Sequence, residues 1–238
     1  MEYKYNGIIL GKRDLGETDR MYIIYTLEAG KIWAVGKGTR KPAARLAGSL
    51  ESLTESEIFI SKNRGRGNIT GAIATNCFPS LKSNFSFLES AFRAIGILEK
   101  LITDQEKDER IYVLLSGYLK MMNKAAGEGD EEKKDILTAG LIFKLLDFSG
   151  YRMSFDACVG CRNKIIPGRN YFSAPLGGVV CPECFSGKGE TRVSDGCVKM
   201  VRIILANKME NLGKLKVPSN DIKNAQLIIS EQVKWIVN

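Results

Sequence analysis

Hydrophobic positions change their period once along this 238-residue chain. In the first eighty or so residues they fall in short runs rich in aromatic and β-branched side chains, at 3–10, 21–26, 31–35, 58–60 and 69–75. Turn residues separate the runs, among them Asp14-Leu15-Gly16-Glu17 and Glu28-Ala29-Gly30. Runs of this length between Gly-bearing turns predict strands. Five of them in so short a span predict a small barrel of the oligonucleotide-binding (OB) type.

From Pro79 the spacing lengthens to three and four residues. Phe85, Leu88, Phe92, Ile95 and Leu98 form one stripe, and Ile111, Leu114, Leu115, Tyr118, Leu119 and Met122 a second. Ile136, Leu141, Leu145, Leu146 and Phe148 form a third, which stops at Gly150. Each predicts an amphipathic helix with its stripe in a core. Asp104 is the expected cap of the second helix, and residues 127–130 end it. Further on, Ser194-Asp195 cap a helix carrying Val198, Val201 and Ile204. Pro218-Ser219 open a last one carrying Ile222, Ala225, Ile229 and Val233. The pattern predicts an α+β chain: a five-stranded OB-fold β-barrel over 1–79, then an all-α domain built from 80–151 and 190–238. Residues 152–189 interrupt that domain.

The interruption carries the strongest chemical signal. Cys158-Val159-Gly160-Cys161 and Cys181-Pro182-Glu183-Cys184 are two Cys-x-x-Cys pairs, each able to set two thiolates on one side of a turn. Facing each other, they supply the four corners that zinc takes in a closed structural site. The chain has no histidine, so such a site is all-cysteine. A pair of disulfides or unrelated thiols is the alternative. Four sulfurs leave no open coordination position, so one zinc here holds the fold and does no chemistry. Cys77 and Cys197 are expected to be small buried residues.

Charge changes the picture of the barrel. The net charge is +8; both ends of the chain are basic and the middle is slightly acidic. Residues 37–45 hold Lys37, Arg40, Lys41 and Arg45 with no acid, and residues 62–68 hold Lys62, Arg64 and Arg66 among glycines. Mobile cations of this kind neutralise phosphates and carry no base information. These two loops are the expected DNA contacts, extended by Lys12, Arg13 and Arg20. Tyr22, Tyr25 and Trp33 are assigned to strand packing rather than to stacking on bases. No apolar run reaches the ~18 residues that span a bilayer, and Met1-Glu2-Tyr3-Lys4 is no signal peptide. A cytoplasmic protein with reduced thiols is expected.

An enzyme is not expected. There is no histidine for general-base work. Gly36-Lys37-Gly38-Thr39 lacks the upstream glycine and following helix of a phosphate-cradling loop, and a zinc deaminase needs a histidine and an open metal position. The remaining alternative to DNA binding is a zinc-ribbon module that binds only proteins.

The chain resembles the RecO family of DNA repair proteins, which are recombination mediators. The resemblance rests on Gly7-Ile8-Ile9-Leu10, Gly16-Glu17-Thr18-Asp19-Arg20, Lys37-Gly38-Thr39-Arg40-Lys41, Arg45-Leu46-Ala47-Gly48, Phe143-Lys144-Leu145-Leu146, Gly150-Tyr151, Phe172-Ser173, Gly177-Gly178 and both cysteine pairs, in that order. It departs at Glu51-Ser52-Leu53, where such sequences often carry Pro-Phe, and at Ala44, where serine is common. The resemblance implies an OB-fold, a helical domain with a zinc finger, and binding of single- and double-stranded DNA. It further implies strand annealing and, together with RecR, loading of recombinase onto DNA coated by single-strand-binding protein, whose acidic C-terminal tail the helical domain holds.

Overall fold

The computed structural model describes residues 1–41, 46–62 and 66–237. Arg45 and Arg64, two of the expected DNA contacts, lie outside these described residues. In chain order the strands β1 (Glu2–Leu15), β2 (Asp19–Thr26), β3 (Gly30–Gly36), β4 (Glu55–Ser61) and β5 (Gly67–Asn76) come first. The helices α1 (Pro79–Ser83), α2 (Phe85–Leu101), α3 (Glu109–Glu128) and α4 (Glu131–Phe148) follow. Short strands β6 (Asn170–Ser173), β7 (Gly178–Val180) and β8 (Thr191–Val193) precede α5 (Asp195–Ala206), α6 (Met209–Leu212) and α7 (Ser219–Val237). The chain divides into two compact units. One is Met1–Ser83 with Ile102–Asn123, the other Asn84–Leu101 with Lys124–Asn238.

In the first unit the five strands close into a barrel in the order β1-β2-β3-β5-β4. Alternation sends Ile9, Tyr22, Ile24, Ala34, Ile58, Ile60 and Ile69 inward, with Leu50 from the β3–β4 connection beside them. β1 runs five residues past its expected end, to Leu15. A bulge between Ile9 and Gly11 bends it there, so that one strand serves both β4 and β2. Every pairing is antiparallel except the seam between β3 and β5, which runs parallel through Ala34↔Gly67 and Val35↔Asn68. Cys77, expected to be buried, is exposed, because the next residue, Phe78, takes the inward place.

The same unit holds residues 102–108 and the start of α3. Asp108, rather than the expected Asp104, caps α3: its carboxylate accepts from the Arg110 amide at 2.9 Å. Glu55 of β4 is buried and accepts from the Tyr112 hydroxyl at 2.9 Å, the Ser116 hydroxyl at 3.1 Å and the Asn76 amide at 2.7 Å. Three donors on one carboxylate satisfy a charge that burial would otherwise penalise.

In the second unit α4 is the central helix, packed by α2, α5, α6 and α7. Its Ile136, Leu137, Leu141, Phe143, Leu145 and Leu146 are buried on all sides, as an enclosed helix requires. Asp130 caps it by accepting from the Lys133 amide, and Ser194 caps α5 by accepting from the Cys197 amide. β6, β7 and β8 form a sheet in the order β7-β6-β8. Phe155 joins this sheet to the helices, 6.0 Å from Phe143 of α4 and 6.0 Å from Phe172 of β6. Arg202 of α5 donates to the Phe155 and Ile165 carbonyls and pairs with Asp156 at 3.0 Å.

Candidate metal centre and nucleic-acid surface

Both cysteine pairs sit on tight turns beside the small sheet. The first is tied down by Val159 N–H to Val179 O at 2.9 Å and by Arg162 N–H to Cys158 O at 2.9 Å. The second is a short 3-10 turn over Pro182–Cys184, closed by Cys184 N–H to Cys181 O at 3.1 Å. Together they bring the four Sγ atoms within 4.8 Å of one another, so Cys158, Cys161, Cys181 and Cys184 can hold a metal ion. The spacing discriminates between chemistries. Cys161 and Cys181 Sγ are 3.7 Å apart, whereas a disulfide needs about 2.05 Å. A tetrahedron of metal–thiolate bonds of about 2.3 Å has sulfur edges of about 3.8 Å.

Their closeness sets the thiols against one another. Burial alone would raise Cys158, but the amides of Cys161, Cys181 and Gly160 outweigh it and bring the thiol down to about 6. Cys181 is pushed up to about 12, first by its bond with Glu183 and then by burial. Four thiols this close cannot all ionise unless a cation joins them. Gly160 is closely packed: a Cβ there would lie 3.0 Å from both Cβ and Sγ of Cys184, which would have to give by a few tenths of an ångström. Cys197, as expected, is a buried thiol apart from this cluster, and burial pushes it up to about 12.

On the barrel the expected cations fall into two groups. The 37–41 loop is bound to the β1–β2 turn: Gly38 N–H donates to Asp19 at 2.8 Å, and Arg40 donates to the Gly16 carbonyl at 2.7 Å. The Gly38 amide, followed by the Thr18 hydroxyl, holds Asp19 below the usual carboxylate range. Arg20 and Arg40 share Asp14, at 3.1 and 3.5 Å. Lys37 and Lys41 are exposed beside them, with no ion pair among the described residues. Lys12, also on β1, pairs with Glu51 at 2.7 Å.

The second group surrounds Trp33. Because Ile32 and Ala34 face the barrel interior, Trp33 faces outward, where it is only partly buried. The guanidinium carbons of Arg13 and Arg66 lie 5.4 and 5.7 Å from its ring centroid, within cation–π range. Lys62 and Arg66 line a cleft of about 650 Å³ with Tyr5, Ile32, Trp33 and Ile60.

Residues 102–108 form the cleft's far wall, a feature no local sequence signal marks. Lys31 donates to Asp104 at 2.9 Å and to the Ile102 carbonyl at 2.9 Å, and the Gln105 amide donates to the Lys31 carbonyl at 2.8 Å. The Trp33 indole N–H donates to Asp104 at 3.0 Å and the Tyr25 hydroxyl to the Asp108 carbonyl at 3.0 Å. Burial, the largest cause, raises Tyr25 to about 12. This strap sits against Gly30, where a Cβ would lie 2.0 Å from the Glu106 carbonyl oxygen.

A closed OB-type barrel with cations on its loops, in one chain with a helical unit bearing a cluster of four thiols able to hold a metal ion, defines a class of small mixed α+β proteins. No helix of the described residues is long and apolar enough to cross a membrane. Residues 1–78 match the family described as recombination protein O N terminal, and residues 89–237 match recombination protein O C terminal. The chain therefore belongs to the recombination protein O family. It is similar to the DNA repair protein RecO of Dehalococcoides mccartyi strain 195, 25% identical over 236 residues, covering 99% of this chain and 91% of that protein. The RecO proteins of Symbiobacterium thermophilum and Frankia casuarinae are each 28% identical, over 206 and 236 residues; they cover 85% and 98% of this chain, and the matches span 79% and 93% of those proteins. Family membership assigns the chain to DNA repair and recombination.

Proposed function

We propose that this protein is a non-enzymatic recombination mediator that binds single- and double-stranded DNA without sequence preference. The observation that carries the reading is the loop at 37–41. It is held on the β1–β2 turn by backbone and carboxylate bonds while Lys37 and Lys41 stay exposed beside Asp19, with no ion pair among the described residues. Such cations on a rigid support suit a phosphate chain. Arg20 and Arg40, already neutralised in part by Asp14, serve mainly to set the loop.

With RecR, the protein anneals complementary strands and loads recombinase onto DNA coated by single-strand-binding protein. For the acidic tail of the latter the reading takes a groove of about 340 Å³ in the helical unit, lined by Ile97, Ile142, Ile229 and Val233 with Lys234, Asp135 and Arg93, the last paired with Glu89 at 3.1 Å. The four thiolates hold one structural zinc, and the protein works in the cytoplasm on the nucleoid.

Binding of a labelled strand across a salt series tests the reading. Affinity is expected to fall steeply with salt, and Lys37→Ala with Lys41→Ala to reduce the slope by up to about two. Absence of binding even at low salt would leave the protein-only interaction module as the better reading.

A further inference from the structure

The loops at 37–41 account for contact with a phosphate chain, but not for the second group of cations. Arg13 and Arg66 both rest on Trp33, and neither has an ion pair among the described residues. Cation–π attraction to the shared indole offsets part of the repulsion between these like charges.

The cleft beside them is polarised along its length. Lys62 and Arg66 stand at the β4–β5 end, without an acid partner. Glu28 and Asp104 stand toward the strap, with Lys107 already paired to Glu109 at 2.8 Å. Glu28 accepts from the Asn6 amide N–H at 2.9 Å and from its side chain at 2.8 Å, and Asp104 accepts from Lys31 and Trp33. Tyr5, Ile32 and Ile60 supply an apolar wall between the two ends. The volume, about 650 Å³, falls in the ~300–1,000 Å³ range of sites that enclose small ligands.

A nucleotide has the same polarity: a phosphate at one end, a flat apolar ring in the middle, and ring N–H donors at the far edge. We propose that this seam between β3 and β5 seats one unpaired nucleotide of a DNA strand, its phosphate on Arg66 and Lys62 and its base against Tyr5, Ile32 and Ile60, with the base edge toward Glu28 and Asp104. A base in a duplex must leave its stack to enter such a slot, while a base in a single strand need not. The slot therefore separates single from double strands, which the phosphate-binding loops do not. This inference rests on the DNA reading above, and its test tells the two apart.

Trp33 and Trp235 are the chain's two tryptophans, and Trp235 is exposed on α7, outside the cleft. In full-length Trp235→Phe protein the emission therefore reports Trp33 alone. Four probes are titrated at low salt, with anisotropy of the labelled strands read in parallel: an oligothymidylate, an abasic strand of the same length, a duplex, and thymidine monophosphate. The natural strand is expected to change Trp33 emission and to bind at least fivefold more tightly than the abasic strand, since a stacked base contributes about 1–3 kcal/mol. The duplex binds without changing the emission. Arg66→Gln, with its thermal unfolding unaltered, abolishes the emission change. If natural and abasic strands bind equally and the emission stays constant, the slot is overturned while the DNA reading stands. Saturation by the mononucleotide as tightly as by the strand also overturns it, in favour of a free-nucleotide site. No binding of any strand overturns both.

Discussion

Replacing Gly30 by alanine tests whether the strap at 102–108 is a built part of the barrel. Gly30 has φ +66 and leaves no room: an added Cβ would lie 2.0 Å from the Glu106 carbonyl oxygen and 2.6 Å from its carbon. Both are backbone atoms, so no rotamer relieves the overlap, and the strap must retreat by more than 1 Å to reach contact of about 3.4 Å. Gly16 is a control within the same unit. It also has φ +66, but nothing lies within 4 Å of the Cβ it would gain. Both variants carry the same left-handed backbone cost, about 1–2 kcal/mol. Only Gly30→Ala separates the strap from β3. That loses the Gln105 N–H to Lys31 O bond, worth about 1 kcal/mol, and the charge-assisted bonds of Lys31 to Asp104 and Ile102, worth about 1.5–3 kcal/mol.

Gly30→Ala is therefore expected to destabilise the barrel by about 2–4 kcal/mol more than Gly16→Ala. Urea unfolding followed by Trp33 emission, in the Trp235→Phe background, measures the difference. Amide exchange at Gln105 supplies a local readout: protection is expected to be lost in Gly30→Ala and kept in Gly16→Ala. Equal midpoints and equal Gln105 protection in the two variants would refute the reasoning, because they would mean that the strap's approach to Gly30 contributes nothing beyond backbone strain.

Three further outcomes are expected. Freshly purified protein should hold about one metal ion per chain by elemental analysis, and Gly160→Ala should release it at a lower chelator concentration, because the new Cβ crowds Cys184; unchanged retention would count against the site as drawn. Tyr112→Phe removes one of three donors from buried Glu55 and should cost about 1–3 kcal/mol in denaturant unfolding, whereas an unmoved midpoint would show that Ser116 and Asn76 suffice. Asp19 titrates below its ordinary range when folded, so its bond to Gly38 adds stability above pH about 4, where the unfolded carboxyl is ionised. That contribution is lost as pH falls through the lower folded value. The Gly38 amide resonance should shift over that acid range, and a flat titration would contradict the bond.

The elements whose signal is local were legible in the sequence. Five strands, the helical stripes, the caps at Ser194 and the two cysteine turns each announce themselves within a dozen residues, because backbone period, cap chemistry and ligand spacing are short-range properties. The fate of individual polar residues was less so. Asp104 reads as a helix cap by its place before an apolar stripe, yet Asp108 does that work and Asp104 meets Lys31 and Trp33 instead. Nothing near Arg202 in the sequence marks its partners either: it closes the carbonyls of Phe155 and Ile165, 47 and 37 residues away.

The sequence by itself determined that this chain is a β head followed by helices, that four cysteines form one cluster, and that cations gather on the head's loops. Tertiary structure alone decided which cations pair with carboxylates and which have no ion pair among the described residues, and that a segment some seventy residues downstream walls a cleft against β3. The reason is that hydrophobic period constrains which side of an element faces inward, while the partner of a charged side chain depends on which distant backbone the closed fold brings beside it, and nothing in the local pattern encodes that meeting.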